Sequence, residues 1–308
     1  MMHRKAILFS TVLLVASVLP ALSQKTPTRT PATAAKSSDG VRESGAVSFK
    51  YVTIVAPNAS LTQPQGISNK NVVAGAYWNG INNGFLLTNG VITKVDLPAS
   101  DTSLSGINSS GEIVGYYDGN NGSAASQAFA LSNGKFSNLN IPNAMGSIAN
   151  GISDSGSIVG QYYTTTSNWQ GFLYIVGATT TLNFPGAQLT VARGVNNYGQ
   201  IVGVYADVFG NTYSFVYSGG AFQQLVVPGC VQSGASGINN NGDIVGFCNN
   251  SKGAGLGYLY KNGVFSFLAV PGSSGTGPTG INDAGEIVGQ YAPSGTTMID
   301  GFLAIPSN

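Results

Sequence analysis

The chain contains very few of the residues on which catalysis and metal binding usually depend. Charged residues make up only 8% of its 308 residues, and its single histidine is His3. Without another imidazole, the rest of the chain cannot form a Ser-His-Asp or Cys-His catalytic group or a histidine metal site. We therefore predict no catalytic residue of these kinds, no bound metal and no cofactor.

The shortage of charge also limits the partners that the protein can bind. The formal net charge of the whole chain is +1, but from Val47 onward seven Lys and Arg residues face ten Asp and Glu residues, which gives −3. A surface that binds nucleic acid needs a cluster or stripe of basic residues, and this sequence has none. We predict no nucleic-acid partner.

Long hydrophobic runs are also missing. The one extended run, Ala6 to Leu19, is too short to cross a bilayer core of about 30 Å comfortably. His3, Arg4 and Lys5 precede it, and Ala21-Leu22-Ser23 follows it as a small-x-small cleavage site. We predict that residues 1–23 are a signal peptide, and that the protein is secreted, extracellular or periplasmic. No integral membrane segment would remain after cleavage.

Residues 24–46 contain mainly Thr, Pro, Ala, Ser and charged residues, with almost no large apolar side chain. Such a segment cannot bury enough apolar surface to offset the entropy lost on folding. It is predicted to be a disordered linker before a domain at 47–308. A tether to the cell surface is the functional alternative.

The most informative feature of the sequence is a twelve-residue motif that occurs six times. Its clearest copy is GINDAGEIVGQY, Gly280 to Tyr291, and successive copies start 40, 45, 43, 43 and 43 residues apart. A period of this length is typical of propellers and solenoids. The copies start at Gly66, Gly106, Gly151, Gly194, Gly237 and Gly280.

The motif itself predicts a tight turn between two strands. Its third residue, Asn or Ser, suits the start of a type I turn, and the Gly three residues later supplies a positive φ. In the first copy that position is Asn71, the non-glycine residue type that best tolerates the left-handed region. The following Ile-Val pair predicts a strand covered on both faces. The next glycine, as in Gly115 or Gly203, predicts a close approach by a neighbouring chain segment.

A second unit follows each motif at a constant spacing. An aromatic residue (Phe85, Phe129, Phe172, Phe215, Tyr258 or Phe302) begins a strand, and in the five complete copies a proline lies thirteen residues after it. Three of these strands end in Asn-Gly, a strong hairpin signal. Each repeat is therefore predicted to be a four-stranded antiparallel unit, with a short first strand at Gly-Ile-Asn and three longer strands.

The two ends of the repeat array complement each other. The sixth copy stops at Asn308 without a fourth strand, whereas Tyr51, Ile54 and Pro57 repeat the spacing of a fourth strand before the first copy. We predict an all-β, six-bladed β-propeller of four-stranded antiparallel blades, with the ring closed by residues 47–57. A β-solenoid or a pair of stacked sheets is the alternative, and either leaves this extra strand unexplained.

The repeated G-I-N-x-x-G-x-I-V-G-x-Y unit followed by G-F-L resembles the HAF-type "probable extracellular repeat" family of bacterial secreted proteins. The resemblance covers Gly66 to Leu303, and the first copy departs from it at Asn71, Val72 and Ala74. It implies export and tandem β repeats. It implies no activity, and it offers no catalytic residues to transfer.

Two sparse residue types allow further predictions. Arg193 is the only arginine in the repeats, so the arginine triad with which propeller sialidases hold a substrate carboxylate cannot be built. The only cysteines, Cys230 and Cys248, lie on either side of one predicted hairpin. In an exported protein such a pair predicts a disulfide, and two buried free thiols are the alternative.

Loop lengths vary on one predicted face only. The loop after the second strand of a blade has six residues at 78–83 and ten at 118–127, whereas the other face shows no insertions. Variable loops on a rigid scaffold are typical of binding surfaces. The predicted ligand-binding residues in these loops are Trp78, Asp118, Tyr163, Trp169, Phe209, Tyr213 and Asp300. The alternative is that the aromatic side chains pack over neighbouring strand ends.

These patterns favour a secreted, non-catalytic binding module with a glycan or protein ligand. The first alternative is an exported hydrolase or lyase that uses loop carboxylates such as Asp118, Asp207 and Asp300. A glycosidase needs two carboxylates about 5–10 Å apart, which a sequence cannot show. The second alternative is a structural or adhesive protein of the cell envelope.

Overall fold

A computed structural model describes residues 47–97, 101–118, 125–164, 169–253 and 255–307. The predicted signal peptide and linker lie outside these residues. The described part of the chain contains 24 β-strands and no helix. The strands form six separate four-stranded sheets, and neighbouring strands within each sheet are antiparallel.

The strands of the first three complete blades are β2 Leu61–Ile67, β3 Val73–Trp78, β4 Asn82–Thr88, β5 Val91–Lys94, β6 Asp101–Ile107, β7 Ile113–Asp118, β8 Gln127–Ser132, β9 Lys135–Asn138, β10 Gly146–Ile152, β11 Ile158–Tyr163, β12 Trp169–Ile175 and β13 Ala178–Leu182. The remaining strands are β14 Leu189–Val195, β15 Ile201–Ala206, β16 Thr212–Ser218, β17 Ala221–Leu225, β18 Cys230–Ile238, β19 Ile244–Asn250, β20 Gly255–Lys261, β21 Val264–Leu268, β22 Ser273–Ile281, β23 Ile287–Pro293 and β24 Asp300–Pro306, together with β1 Phe49–Ile54.

The sixth blade confirms the predicted closure of the ring. Its strand order is β22, β23, β24 and then β1, so the first strand of the chain is the outer strand of the last blade. Six residue pairs join β1 to β24, from Phe49 with Pro306 to Ile54 with Gly301. The six-bladed propeller predicted from the sequence is therefore the observed fold.

Two details of the prediction were wrong. The aromatic residue that was expected to begin the third strand lies inside that strand, as Phe85 does in Asn82–Thr88. The first strand of each blade, expected to be short, has seven to nine residues, whereas the fourth strand of the complete repeats has only four or five. The first half of such a strand, Leu61 to Gln65 for example, shows no clear apolar alternation. These strands contact their counterparts in adjacent blades, so their sequence does not follow the pattern of a half-buried strand.

The turn between the first two strands has the predicted geometry in all six blades. Asn71 and the glycines at the same position have φ between 58° and 85°. In the second blade, the side-chain oxygen of Asn108 accepts hydrogen bonds from the backbone N–H groups of Ser110 and Glu112. The Asn108 amide nitrogen donates to the carbonyl of Ser153 in the next blade. Asparagine at this position therefore stabilises its own turn and joins two blades.

Each blade is anchored by the aromatic residue of the second repeated unit. These six side chains are at most 1% exposed. The preceding strand makes room for them with the last glycine of the motif: a Cβ built at Gly75 would lie 2.7 Å from Cε1 of Phe85. The predicted close approach at this glycine is confirmed. The groups that approach Gly75 are the carbonyl oxygen of Gln63 and the buried ring of Phe85.

The first glycines of the six motifs form a closed ring around the propeller axis. A Cβ built at Gly66 would lie 3.0 Å from the Cα of Gly106, and one built at Gly280 would lie 3.2 Å from the Cα of Gly66. Only residues without a side chain allow the six inner strands to approach this closely. The ring separates a larger cavity on one face of the disc from a smaller one on the other.

The predicted disulfide is present between Cys230 and Cys248, whose Cα atoms are 5.6 Å apart. It joins the first two strands of the fifth blade, β18 and β19. The sequence separation is 18, and closing a loop of about this length stabilises a protein by about 3 kcal/mol in the chain-entropy model.

The hairpins between third and fourth strands contain one unfavourable residue. Asn89, Asn133 and Asn262 precede glycine in these turns with φ near 50°, but Val176 occupies the same position with φ 46°. A β-branched residue is rarely found in this region of backbone space. The side chain of Val176 is 97% exposed, so packing does not require it.

Replacing Val176 with Asn should therefore stabilise the protein. Relief of the backbone strain is expected to add about 1 kcal/mol to the free energy of unfolding, the low end of the usual strain energy. Thermal melting and urea titration would measure the gain. The control is Val208→Asn, at an exposed valine without a positive φ, which should change little. Equal effects of the two substitutions would contradict the strain explanation.

A central funnel on the face of the variable loops

A cavity of about 400 Å³ lies on the axis and opens towards the face of the variable loops. Its lining includes Gly210, Thr212 and Leu256, which lie in or beside the loops between second and third strands. We call this cavity the funnel. All six blades contribute to it, so its shape depends on the closed ring.

The floor of the funnel is made by a β-bulge in every blade. In each first strand the register with the second strand shifts at the residue before the motif glycine, for example between Ala192 and Gly194. A bulge leaves one residue unpaired and redirects its side chain. The six bulge residues all line the funnel, and we call them the floor ring: Gln65, Ser105, Asn150, Arg193, Ser236 and Thr279.

The wall of the funnel comes from the second strands. In each blade the residue after the last motif glycine faces the cavity: Ala76, Tyr116, Gln161, Val204, Phe247 and Gln290. Higher on the wall, the side-chain amide of Gln63 donates to the side-chain oxygen of Gln290 at 2.6 Å. Floor and wall together offer amide and hydroxyl groups beside aromatic and small apolar surfaces.

Among the described residues that line the funnel, Arg193 has the only charged side chain. Its guanidinium carbon lies 5.8 Å from the centre of the Phe247 ring, a cation–π distance. Gly234 lets this ring lie against the inner strand, since a Cβ built there would clash with it. Burial lowers the pKa of Arg193 to about 10, which still leaves the group charged at neutral pH.

No carboxylate lines the funnel among the residues that the structure describes. The loop segments 119–124, 165–168 and 254, outside the described ranges, contain no Asp or Glu in their sequence. Asp101 and Asp118 face each other across β6 and β7, but neither lines the funnel. Burial, and then the charge of Asp118, raises the pKa of Asp101.

Of the predicted ligand-binding residues, Trp169 lines the funnel directly. Its ring packs edge-to-face against Tyr163, with ring centroids 4.8 Å apart. Tyr163 therefore supports the side of the tryptophan. The loop between these two residues includes 165–168, which lie outside the described part of the chain.

The other predicted residues lie on the same face outside the funnel lining. Trp78 is 39% exposed at the end of β3, and Phe209 is 86% exposed at a loop tip. Tyr213 packs on Tyr205 and donates to Asp207 at 3.4 Å. Asp118 accepts a hydrogen bond from Ser126, and Asp300 begins β24. Their roles in binding stay predictions.

Sequence analysis did not identify the floor ring as a site. Its residues occupy one position of the repeat, directly before the motif glycine, and this position holds six polar residues of five types. The sequence did offer one signal for this site: the residue before the first motif glycine is always polar, but its type varies between repeats. The bulge turns each of these side chains towards the axis, and the closed ring of six blades brings them together.

The opposite face ends in a second, smaller cavity of about 60 Å³, bordered by turn residues. Its Asp and Asn side chains already join the blades: Asp154 accepts from the N–H of Ser109 at 2.7 Å, and Asp283 accepts from the N–H of Asn240 at 2.8 Å. Within the described ranges, no three His, Cys, Asp or Glu residues are grouped to hold a metal ion. Turn and inter-blade hydrogen bonding account for these carboxylates.

The architecture is thus that of a six-bladed β-propeller with a polar axial funnel. Comparison with family models and with curated protein sequences gives no match, so membership of the HAF-type family stays a prediction. Solved structures resemble the fold at low identity. TolB from Acinetobacter baumannii is 13% identical with a TM-score of 0.52, over 66% of this chain and 52% of TolB.

Two further structures show the range of proteins with a similar fold. The β-propeller domain of the Trilobed protease from Pyrococcus furiosus is 10% identical with a TM-score of 0.51, over 82% of this chain and 94% of that domain. A variant of Aleuria aurantia lectin in complex with α-methyl-L-fucoside is 16% identical with a TM-score of 0.45, over 81% of this chain and 79% of the lectin. At such identities the likeness concerns the fold alone.

No helix in the described part of the chain is long and apolar enough to cross a membrane.

Proposed function

We propose that this protein is an exported, non-catalytic module that binds a glycan in the axial funnel. The observation that carries the proposal is the funnel lining, in which amide and hydroxyl groups surround aromatic surfaces and no carboxylate is present among the described residues. Amides and hydroxyls can exchange hydrogen bonds with sugar hydroxyls, while a flat aromatic ring can stack on the apolar face of a sugar.

Trp169 is the aromatic group that we assign to stacking. It lines the funnel, it lies on the face of the variable loops, and Tyr163 supports its edge. The disulfide between Cys230 and Cys248 supports export, because such bonds form and persist in oxidising compartments. The hydrolase alternative requires two carboxylates about 5–10 Å apart at the bound sugar, and the described residues of the funnel lining offer none.

Glycan-array screening of the purified protein, followed by titration calorimetry, tests this function. We expect Trp169→Ala to weaken binding of the selected glycan by ~1–3 kcal/mol, as for a binding hot spot. Trp78→Ala removes a tryptophan on the same face but outside the funnel lining, and we expect a smaller loss. The melting temperature of each variant shows whether it is folded.

Two results would contradict the proposal. If the array shows no glycan binding, and a protein partner binds with equal affinity to wild type and Trp169→Ala, the ligand is a protein held outside the funnel. If Trp169→Ala binds glycan normally but melts far below wild type, Trp169 is a packing residue instead. The glycan site would then have to be sought elsewhere.

A further inference from the structure

Arg193, the only cation among the described residues of the funnel lining, has no acidic partner among them. The described residues form two ion pairs, Lys94 with Asp96 and Lys261 with Asp243, and neither involves Arg193. No hydrogen bond from the Arg193 guanidinium to a described residue is present, and its one specific contact is the face of Phe247. The guanidinium therefore directs unused N–H donors into the cavity.

The fold does not require this charge. The other blades place Gln, Ser, Asn, Ser and Thr at the same bulge position. The same bulge forms in each of these blades, and each of these residues also lines the funnel. Placing a charge in a recess with no partner costs free energy unless a partner is supplied. The charge of Arg193 therefore does not stabilise the folded protein, and it can favour the binding of an anionic ligand.

The surroundings define the kind of anion. A guanidinium presents parallel N–H groups that match the two oxygens of a carboxylate. A single cation balances a single negative charge, and the excess of acidic residues from Val47 onward disfavours a polyanion. The neighbouring floor and wall side chains, such as Asn150, Gln161 and Ser236, suit the hydroxyl groups of a sugar.

We propose that Arg193 binds the carboxylate of a uronate residue, so that the ligand of the funnel is an acidic saccharide. This inference rests on the proposed glycan-binding function and names its ligand class. The Phe247 ring contacts the guanidinium through its face, and the carboxylate accepts hydrogen bonds from the N–H groups that face the cavity. The sugar hydroxyls then face the amide and hydroxyl groups of the funnel.

Titration calorimetry with paired probes tests the assignment. The probes are the methyl glycosides of galacturonate, glucuronate and mannuronate, each with a single carboxylate and each compared with its methyl ester, which keeps the sugar and removes the charge. We expect at least one acid to bind roughly 10- to 100-fold more tightly than its ester, the usual range for a charge-assisted hydrogen bond. N-acetyl-triglycine serves as a carboxylate without a sugar and should bind weakly or not at all.

Three variants assign the preference to Arg193. Arg193→Gln should bind acid and ester equally, and Arg193→Lys should recover part of the preference. Lys135→Gln removes an exposed positive charge from β9, outside the funnel, and should behave as wild type. Because Arg193→Gln removes an uncompensated charge, its melting temperature should not fall below that of wild type.

The outcomes separate this inference from the function on which it rests. If acid and ester bind wild type equally well, or if Arg193→Gln keeps the preference, the carboxylate assignment is overturned and glycan binding stands. If neither form of any saccharide binds, the glycan function fails as well. If N-acetyl-triglycine alone binds, and Arg193→Gln abolishes that binding, the ligand is a peptide carboxylate and the saccharide proposal is wrong.

Discussion

Deleting residues 47–57 should lower the free energy of unfolding by on the order of 5 kcal/mol, since burying an isoleucine and forming several ladder hydrogen bonds each contribute about 1 kcal/mol or more. The deletion removes β1, which pairs with β24 through six residue pairs. It also removes Ile54, which is 5% exposed, and Ala56, whose N–H donates to the hydroxyl of Thr62. The exposed edge of β24 would promote aggregation.

Deleting residues 24–46 is the matched control, because this segment is predicted to be a linker and lies outside the described residues. It should leave the melting temperature unchanged. Differential scanning calorimetry of the two truncated proteins and the parent gives the comparison. If both truncated proteins melt at the same temperature, β1 does not stabilise the ring and the closure that we describe has no energetic role.

The second large effect is expected at Gly289, the last glycine of the motif in the sixth blade. A Cβ at this position would lie 2.7 Å from the Cα of Pro278 and 2.8 Å from Cε1 of Phe302. The proline atom belongs to the backbone, and Phe302 is fully buried, so neither can move freely. Gly289→Ala should destabilise the protein by about 3 kcal/mol, at the upper end of the usual cost of overpacking.

Gly277 in the adjacent strand is a suitable control. A Cβ built there meets no atom closer than 3.8 Å, and its φ is not positive. Gly277→Ala should therefore be close to neutral. Urea titration of both variants measures the difference in the free energy of unfolding. Equal stability of the two variants would show that the blade adjusts to the added methyl group and that Gly289 is not required for packing.

Local features of the sequence predicted much of the fold, because they determine local geometry. The turn at Asn108 needs a side-chain acceptor and then a residue that tolerates positive φ, and both are readable from the motif. The regular spacing of Phe85 and its counterparts predicted that they lie in strands, but it did not predict their burial. Closure of the ring was predictable because the extra strand at one end of the chain matches the missing strand at the other.

The candidate site depended on the tertiary structure. Arg193 was noted in the sequence only as an isolated arginine, which excludes an arginine triad. Its place in the funnel depends on a bulge that redirects its side chain, and its ring contact depends on Phe247 from the neighbouring blade. Neither the bulge nor the contact with Phe247 can be read from the residues that neighbour Arg193 in the sequence. The length of the inner strands was mispredicted for a similar reason, since those strands pack against other blades.

The sequence by itself thus determined the repeat, its turns, the number of blades and the strand that closes the ring. These features depend on neighbouring residues and on a count of copies. The tertiary structure decided which six polar residues meet on the axis, that no carboxylate lies among the described residues lining the funnel, and that one guanidinium is left without a partner there. Those features depend on distances between blades some 40 residues apart in the chain, which only the closed ring brings together.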